Sequence, residues 1–161
     1  NRIADLIEEQ KEELARLECE NVGKPFKLAI ESDIPRTIFN FRYFAAKIIA
    51  ETESSALTFQ KDPKNPEKTN TFVNYVVRAP VGVAALIAPW NLPLYTLTWK
   101  LAPCLAMGNT AVCKASDTTP VTAFRLAQIL HEAGLPRGVA NFVFGSGRDV
   151  GTPLVQHPGV R

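Results

Sequence analysis

The sequence predicts an α/β protein built on a parallel sheet. Three short apolar runs, each typical of a buried strand, alternate with segments whose apolar residues recur at helical spacing. Each connection between the runs is long enough for a helix, and a strand–helix–strand unit of this kind places its two strands in parallel with a right-handed crossover. At 161 residues the chain is long enough for one domain with a hydrophobic core.

Two helices are predicted in the amino-terminal third. The first spans residues 2–20, where apolar positions share one face, the other face is rich in Glu, and a Gly followed by a Pro ends the helix. The second is expected to begin at Ser32 or Asp33, either of which can cap it, with Pro35 in its first turn. We assign the Phe and Tyr residues of segment 39–44 to the core, because no basic patch accompanies them.

The middle of the chain is predicted to hold a loop and then a strand. Residues 61–70 are polar and rich in Pro and Asn, a composition typical of a loop. The β-branched and aromatic residues 71–78 alternate in part, which predicts a strand with one apolar and one wetter face. This strand can pair with another subunit or form an ordinary sheet edge, and the residues favour neither interpretation.

The carboxyl-terminal half carries the sheet. The predicted strands are 81–88, 110–114 and 140–144, and the predicted helices are 94–105, which stops at Gly108-Asn109, and 120–134, which Thr118 or Thr119 caps. The first strand is apolar throughout, as expected for a strand that helices cover on both faces.

Polar residues and glycines follow all three predicted strands. Asn91 lies in a Pro-rich turn after the first, Lys114 and Asp117 end the second, and a Gly-x-Gly-x-x-x-Gly loop from Gly145 to Gly151 follows the third. The carboxyl ends of parallel strands meet at one edge of a sheet, so these groups are expected to share a crevice. A cation can bind phosphate or ribose, a carboxylate can accept from ribose hydroxyls, and glycines let the loop backbone approach a ligand closely. Together these three features predict a nucleotide site. Taken one at a time, such residues are more often structural.

Asn91 itself has two interpretations. Its carboxamide can bond to its own backbone as a turn residue. It can also be a rigidly held N–H donor aimed at a developing oxyanion. The residues around it favour the two equally.

Composition excludes several functions. A net charge of +2 is too small to indicate binding to nucleic acid or membranes, no apolar run reaches the length of a membrane span, and no leader pattern opens the chain. The odd number of cysteines (Cys19, Cys104 and Cys113) predicts a reducing compartment, by default the cytoplasm. The histidines, His131 and His157, are far apart and no CxxC occurs, so no metal site is predicted.

Three motifs follow one another along the chain: Ala88-Pro89-Trp90-Asn91-Leu92-Pro93-Leu94, Lys114-Ala115-Ser116-Asp117-Thr118-Thr119-Pro120 and Ala133-Gly134-Leu135-Pro136. In order and spacing they resemble the aldehyde dehydrogenase superfamily, and the resemblance covers nearly the whole chain. The stretch from Tyr75 to Ala84 is most similar to the branch that oxidises 2-aminomuconic semialdehyde.

The resemblance implies NAD-dependent oxidation of an aldehyde to its acid, by a cysteine thiolate and a glutamate-activated water. It also implies that Asn91 is the side-chain donor of the oxyanion hole. The cofactor-binding residues that it implies are Ile87, Ala88, Pro89, Trp90, Lys114, Ser116, Asp117, Gly145 and Gly151.

The resemblance further implies a division of the chain. Residues 1–68 and 79–161 would form an incomplete, Rossmann-like NAD-binding domain, and residues 69–78 would be the oligomerisation arm of a homodimer or homotetramer. The catalytic domain, with its Cys and Glu, is expected to lie beyond Arg161, and none of the three cysteines matches the nucleophile, so this chain alone is predicted to be inactive. The alternative is a truncated, non-catalytic module that binds a nucleotide or pairs with another subunit.

One motif departs from the family. The usual Lys-Pro-Ser-Glu is Lys-Ala-Ser-Asp here, so Asp117 keeps the charge but is one methylene shorter. A ribose contact then needs a small shift or a bridging water. Since a carboxylate repels a 2′-phosphate, we predict a preference for NAD over NADP.

Overall fold

The computed structural model describes residues 1–50 and 55–160 and confirms the α/β class, with a three-stranded parallel sheet and helices packed against it. A two-stranded antiparallel hairpin forms a second sheet. The helices are α1 Arg2–Glu9, α2 Lys11–Val22, α3 Phe26–Leu28, α4 Ile34–Ala50, α5 Pro93–Ala106, α6 Val121–Glu132 and α7 Thr152–Gln156; the strands are β1 Ser55–Asp62, β2 Asn65–Tyr75, β3 Val83–Ile87, β4 Thr110–Lys114 and β5 Ala140–Val143. Two π-helical turns, Ala29–Asp33 and Gly147–Gly151, precede α4 and α7.

The carboxyl ends of the three parallel strands are level. The sheet order is β3-β4-β5, and Ile87, Lys114 and Val143 occupy one row across it. The amide of Ala88 donates to the Lys114 carbonyl at 3.0 Å, which extends the pairing one residue further. The predicted edge with its three adjacent turns is therefore confirmed.

Helices cover one face of this sheet more completely than the other. Leucines of α5 and α6 are fully buried, together with residues of α1, α2 and α4. The opposite face, with Val83, Val112 and Val143, lines a groove of about 440 Å³ beside the loop that follows β5. Across this groove the face meets the loop, the short helix α7 and the segment after it, which leave Val83 37% exposed. The expectation that helices bury β3 on both faces is therefore wrong.

Two predictions about the amino-terminal helices are wrong. The first helix is interrupted at Gln10, where the side chain bonds to Arg125 and Glu132 of α6. A π-helical turn runs directly into α4, so neither Ser32 nor Asp33 caps a new helix.

The predicted cap of α6 is also wrong, because a distant residue replaces it. The Asn21 carboxamide oxygen accepts from the amide of Val121 at 3.0 Å, whereas the hydroxyls of Thr118 and Thr119 do not bond to the first turn of α6. A cap from across the fold leaves no local pattern.

The aromatic residues of α4 divide between core and surface. Phe41 is buried as predicted, but Phe39 and Tyr43 are half exposed and stack on each other with ring centroids 5.6 Å apart. The guanidinium of Arg36 lies 5.6 Å from the Phe39 ring centroid. The core assignment is wrong for these two rings, since they lie on the outer face of the helix.

The hairpin replaces the predicted loop at 61–70. β1 pairs antiparallel with β2, and the Asp62 carboxylate accepts from the Lys64 amide at 2.9 Å in the turn. The pattern failed here because both strands are exposed, and backbone pairing does not require buried side chains. The predicted strand at 71–78 is confirmed as far as Tyr75.

One face of the hairpin is apolar and exposed. Leu57 pairs with Val73, and Phe59 and Tyr75 lie two residues along on the same face.

Among the described residues, no helix is long and apolar enough to cross a membrane.

Candidate functional site

Lys114 is the buried cation of the sheet edge. It ends β4, is 4% exposed, and its Nζ donates to the Ala115 carbonyl at 2.9 Å. It makes no other hydrogen bond within the described ranges, although an ammonium has three N–H donors. Lys114 lines a pocket of about 380 Å³ together with Ile87, Gly147, Gly151, Thr152, Val155 and Gln156. The pocket therefore offers a ligand a cation with donors to spare.

The glycine loop shapes the wall of this pocket. A Cβ at Gly151 would lie 3.6 Å from Cε of Lys114, so glycine keeps the space beside the lysine stem open. Gly145 has φ +146°, and a Cβ there would lie 2.6 Å from Cγ2 of Val150, so only glycine fits the backbone at that position. The Ser146 hydroxyl accepts from the Asp149 amide at 3.0 Å and holds the loop in shape.

The turn after β4 is held by its own side chains. The Ser116 hydroxyl lies 2.9 Å from that of Thr118 and 3.4 Å from Oδ1 of Asp117. Asp117 is exposed and forms no ion pair in the described part of the chain, so its carboxylate is open to a ligand.

The turn that carries Asn91 is held through its backbone instead. Asn91 is exposed between β3 and α5, and its carboxamide makes no hydrogen bond to any described residue, its own backbone included. Its carbonyl oxygen accepts from Nζ of Lys24 at 3.3 Å. The next carbonyl, that of Leu92, accepts from both the amide and the hydroxyl of Thr96, at 2.9 and 2.7 Å.

The structure brings some of the predicted site residues together and leaves others apart. Ile87, Lys114 and Gly151 line one pocket, and Ala88 is bonded to Lys114 across the sheet. The predicted residues that do not line this pocket are Ala88, Pro89, Trp90, Asn91, Ser116, Asp117 and Gly145. The residues predicted for a nucleotide site therefore lie along a row of neighbouring turns rather than in one closed cavity.

A buried ion cluster, which we call the Lys24 triad (Glu18, Lys24 and Asp33), escaped the sequence analysis. Nζ of Lys24 lies 2.5 Å from Oδ2 of Asp33 and 3.3 Å from Oε1 of Glu18, and all three side chains are almost fully buried. Burial raises the pKa of the Glu18 carboxyl above 4.5, and the Lys24 ammonium and the Thr122 hydroxyl oppose this only in part. The available signal was position: Glu18 follows Leu14 by four residues and so lies on the buried face of α2.

None of the cysteines resembles a reactive thiolate. Burial raises the pKa of the Cys113 thiol to about 12 and also raises the pKa of the Cys104 and Cys19 thiols. All three are free. In residues 1–50 and 55–160 no group of three or more His, Cys, Asp or Glu side chains could hold a metal ion.

The fold and the strand-end turns define the class of protein. Residues 1–161 match the family model described as "Aldehyde dehydrogenase family", so the chain belongs to the aldehyde dehydrogenase family, as the motifs predicted.

Two named enzymes and one solved structure are among the relatives of this chain. The chain is 50% identical over 159 residues to 2-aminomuconic semialdehyde dehydrogenase of Bos taurus, covering 99% of this chain and 31% of that protein. It is 41% identical over 160 residues to human mitochondrial 10-formyltetrahydrofolate dehydrogenase, covering 99% of this chain and 17% of that protein. The crystal structure of PnpE from Pseudomonas sp. WBC-3 in complex with nicotinamide adenine dinucleotide is 42% identical, with a TM-score of 0.85 over 98% of this chain and 30% of that one. The chain thus spans about a third or less of the length of these relatives.

Proposed function

We propose that the intact protein oxidises an aldehyde to the carboxylic acid with NAD, and that this chain supplies the cofactor cleft and the oxyanion donor. Family membership and the NAD complex of PnpE support the reaction and the cofactor. The observation that carries the role of this chain is the free carboxamide of Asn91. The residue is exposed and anchored by its backbone, and its N–H donors make no bond to the described residues. An Asn that only closed its own turn would spend that carboxamide on the backbone.

The residues of the sheet edge fit a dinucleotide. Lys114 presents a buried ammonium with unused donors, Gly151 keeps the space beside it open, and the exposed Asp117 carboxylate can accept from ribose hydroxyls. When bound, NAD supplies the hydride acceptor. The edge residues then bind and orient that cofactor beside the Asn91 turn.

Asn91 acts on the aldehyde oxygen. When a thiolate adds to an aldehyde, negative charge develops on that oxygen, and a fixed N–H donor stabilises the charge without reorganising during the reaction. In this proposal the thiolate belongs to a segment outside residues 1–161, because burial keeps the thiols of Cys104 and Cys113 protonated at neutral pH.

For the substrate we propose a semialdehyde of the 2-aminomuconic type. The support is the 50% identity to the Bos taurus enzyme of that name, against 41% to the human 10-formyltetrahydrofolate enzyme. A higher kcat/KM for a formyl-folate than for the semialdehyde would overturn this assignment.

The hairpin suits a role in assembly. We propose that the hairpin forms the oligomerisation arm of a homodimer or homotetramer, which extends the arm predicted at 69–78 back to Ser55, while the rest of segments 1–68 and 79–161 belongs to the NAD-binding domain. Its exposed apolar face supports this, because such faces on small proteins usually meet a partner. The free, largely buried cysteines support a reducing compartment, and we propose the cytoplasm.

The oxyanion role is tested by Asn91→Ala in the intact enzyme. Loss of one oxyanion donor should lower the single-turnover rate of aldehyde oxidation about 10²–10³-fold, with little change in NAD affinity. Asn1→Ala, which removes an exposed Asn whose side chain makes no capping hydrogen bond to α1, is the matched control and should leave that rate unchanged. An unchanged rate in Asn91→Ala, with the chemical step limiting, would remove Asn91 from the mechanism.

The cofactor preference is tested at Asp117. The wild-type protein should bind NAD more tightly than NADP, and Asp117→Asn should narrow the difference because it removes the charge that repels a 2′-phosphate. Binding is measured by titrating each cofactor against intrinsic fluorescence. Comparable affinities for the two cofactors in the wild-type protein would contradict the role of Asp117.

A further inference from the structure

We propose that Lys24 is a positioning residue for Asn91: the Lys24 triad fixes the carbonyl of Asn91 and thereby aims its carboxamide at the aldehyde oxygen. The inference rests on the proposed function, since it assigns Lys24 an effect on the oxyanion donor.

Lys24 connects two nearby segments, those of Glu18 and Asp33, with the distant turn of Asn91. It follows α2, where Gly23 at φ +80° turns the backbone, and its side chain passes through the interior with only 8% exposure. Its ammonium then meets Glu18 of α2, Asp33 of the first π-helical turn and the carbonyl of Asn91. The partner in the catalytic turn is 67 residues away along the chain.

The two carboxylates hold the ammonium in place. A lysine stem is flexible and loses much rotamer entropy when it is fixed. The buried partners at 2.5 and 3.3 Å restrict the Lys24 ammonium to one position, and charge-assisted bonds of this kind are stronger than neutral ones. The bond to the Asn91 carbonyl is thus made by a donor that is already ordered.

The bond acts on the residue that does the chemistry. The Asn91 carboxamide bonds to no described residue, so the backbone that Lys24 holds is the anchored part of this residue and sets the point from which the carboxamide reaches the aldehyde oxygen. A displacement of about 1 Å in a catalytic group can cost about 10²-fold in rate. Lys24 is therefore in a position to influence the rate without touching the substrate.

A second contact of the same segment provides a matched control. Nδ2 of Asn21 donates to the Thr118 carbonyl at 3.4 Å, and its Oδ1 accepts from the Val121 amide at 3.0 Å. Asn21 thus holds the turn after β4, which carries the proposed ribose contacts, while Lys24 holds the turn after β3. Variants at the two positions perturb one end of α2 but different functional turns.

The test is a double-mutant cycle in the intact enzyme, with single-turnover rate and KM for NAD as readouts. Lys24→Met should slow the chemical step about 10-fold or more in the wild-type background and hardly at all in Asn91→Ala, because there is then no donor to aim. Its KM for NAD should change less than that of Asn21→Ala. Lys24→Arg, which keeps the charge, should recover part of the rate.

Two outcomes would overturn the inference. One is an equal loss of rate from Lys24→Met in both backgrounds, and the other is an unchanged rate in the wild-type background. If Lys24→Met does not fold, the same cycle is run with Lys24→Met combined with Glu18→Gln and Asp33→Asn, which leaves no unpaired buried charge. Failure of the proposed function is distinguishable, because it would appear as an unchanged rate in Asn91→Ala alone.

Discussion

The sheet edge and the hairpin depart from the usual distribution of side chains in opposite directions. At the edge, a charged group is buried: Lys114, which ends β4, is only 4% exposed. On the hairpin, apolar groups are exposed: Phe59 by 65% and Tyr75 by 71%. Both situations are unusual, since charges are rarely buried unless paired, and large exposed apolar patches usually mark an interaction site. Within the described residues, the edge gives Lys114 one hydrogen-bond partner, the Ala115 carbonyl, whereas the hairpin leaves its apolar side chains exposed. In our proposal both regions meet another molecule, the cofactor at the edge and a second subunit at the hairpin.

The largest expected effect comes from comparing a substitution in the core that packs against the sheet with a substitution on the hairpin. Leu101→Ala, at a fully buried position of α5, should destabilise the intact protein by about 2–5 kcal/mol, because it opens a cavity in the core. Phe59→Ser should change folding stability by only about 0.5 kcal/mol, as is usual for exposed positions. It should instead shift the protein toward smaller assemblies in sedimentation velocity.

These two variants can also break the comparison. If Phe59→Ser unfolds the subunit as strongly as Leu101→Ala, the hairpin belongs to the core rather than to an interface. If Phe59→Ser leaves the sedimentation coefficient unchanged at every concentration, the proposed oligomerisation arm is wrong. Thr58→Ser, on the opposite face of the same strand, controls for disturbance of the hairpin itself.

A smaller effect is expected from the buried charge of Glu18. The folded state holds the Glu18 proton more tightly than the unfolded chain, because burial raises the pKa of this carboxyl despite Lys24 nearby. The stability contributed by protonation is therefore fully present below pH 4.5 and is lost as pH rises through the raised pKa. Glu18→Gln, which cannot ionise, should gain in thermal midpoint relative to the wild type over this pH range.

This measurement decides between two opposing influences on the carboxyl. Burial and the nearby Asp33 favour the protonated form of Glu18, whereas Lys24 and Thr122 favour the ionised form. If the thermal midpoint of the wild type instead rises relative to that of Glu18→Gln as the pH increases, the effect of Lys24 on the pKa of Glu18 outweighs the effect of burial.

Hydrophobic periodicity and the polar residues after each strand were enough to predict the parallel sheet. The apolar runs of β3, β4 and β5 reflect burial, and the parallel connections then require that Asn91, Lys114 and the glycine loop share one edge. The same reasoning missed the hairpin, because its strands are paired but exposed and leave no buried pattern.

The supporting contacts of the site were beyond the sequence analysis for a different reason. Glu18 resembles its acidic neighbours in α2, and only its position four residues after Leu14 marks it as the carboxylate that turns inward; no local pattern pairs it with Lys24. Asn21 caps a helix 100 residues away, so the helix it serves shows no capping residue of its own. Such long-range polar pairs depend on tertiary packing, and local sequence patterns carry no information about it.

The contacts of Asn21 and Lys24 also predict an order of events in folding. Helix α2 is made from nearby residues and can form early, whereas the turns after β3 and β4 acquire these partners only when α2 docks across separations of 67 and 100 residues. Contacts between residues so far apart in sequence require the closure of long loops and are typical of slow folding steps. We therefore expect the segment from Asn21 to Lys24, although it contains none of the residues proposed to touch aldehyde or cofactor, to act as the template on which the turns after β3 and β4 take their final shape.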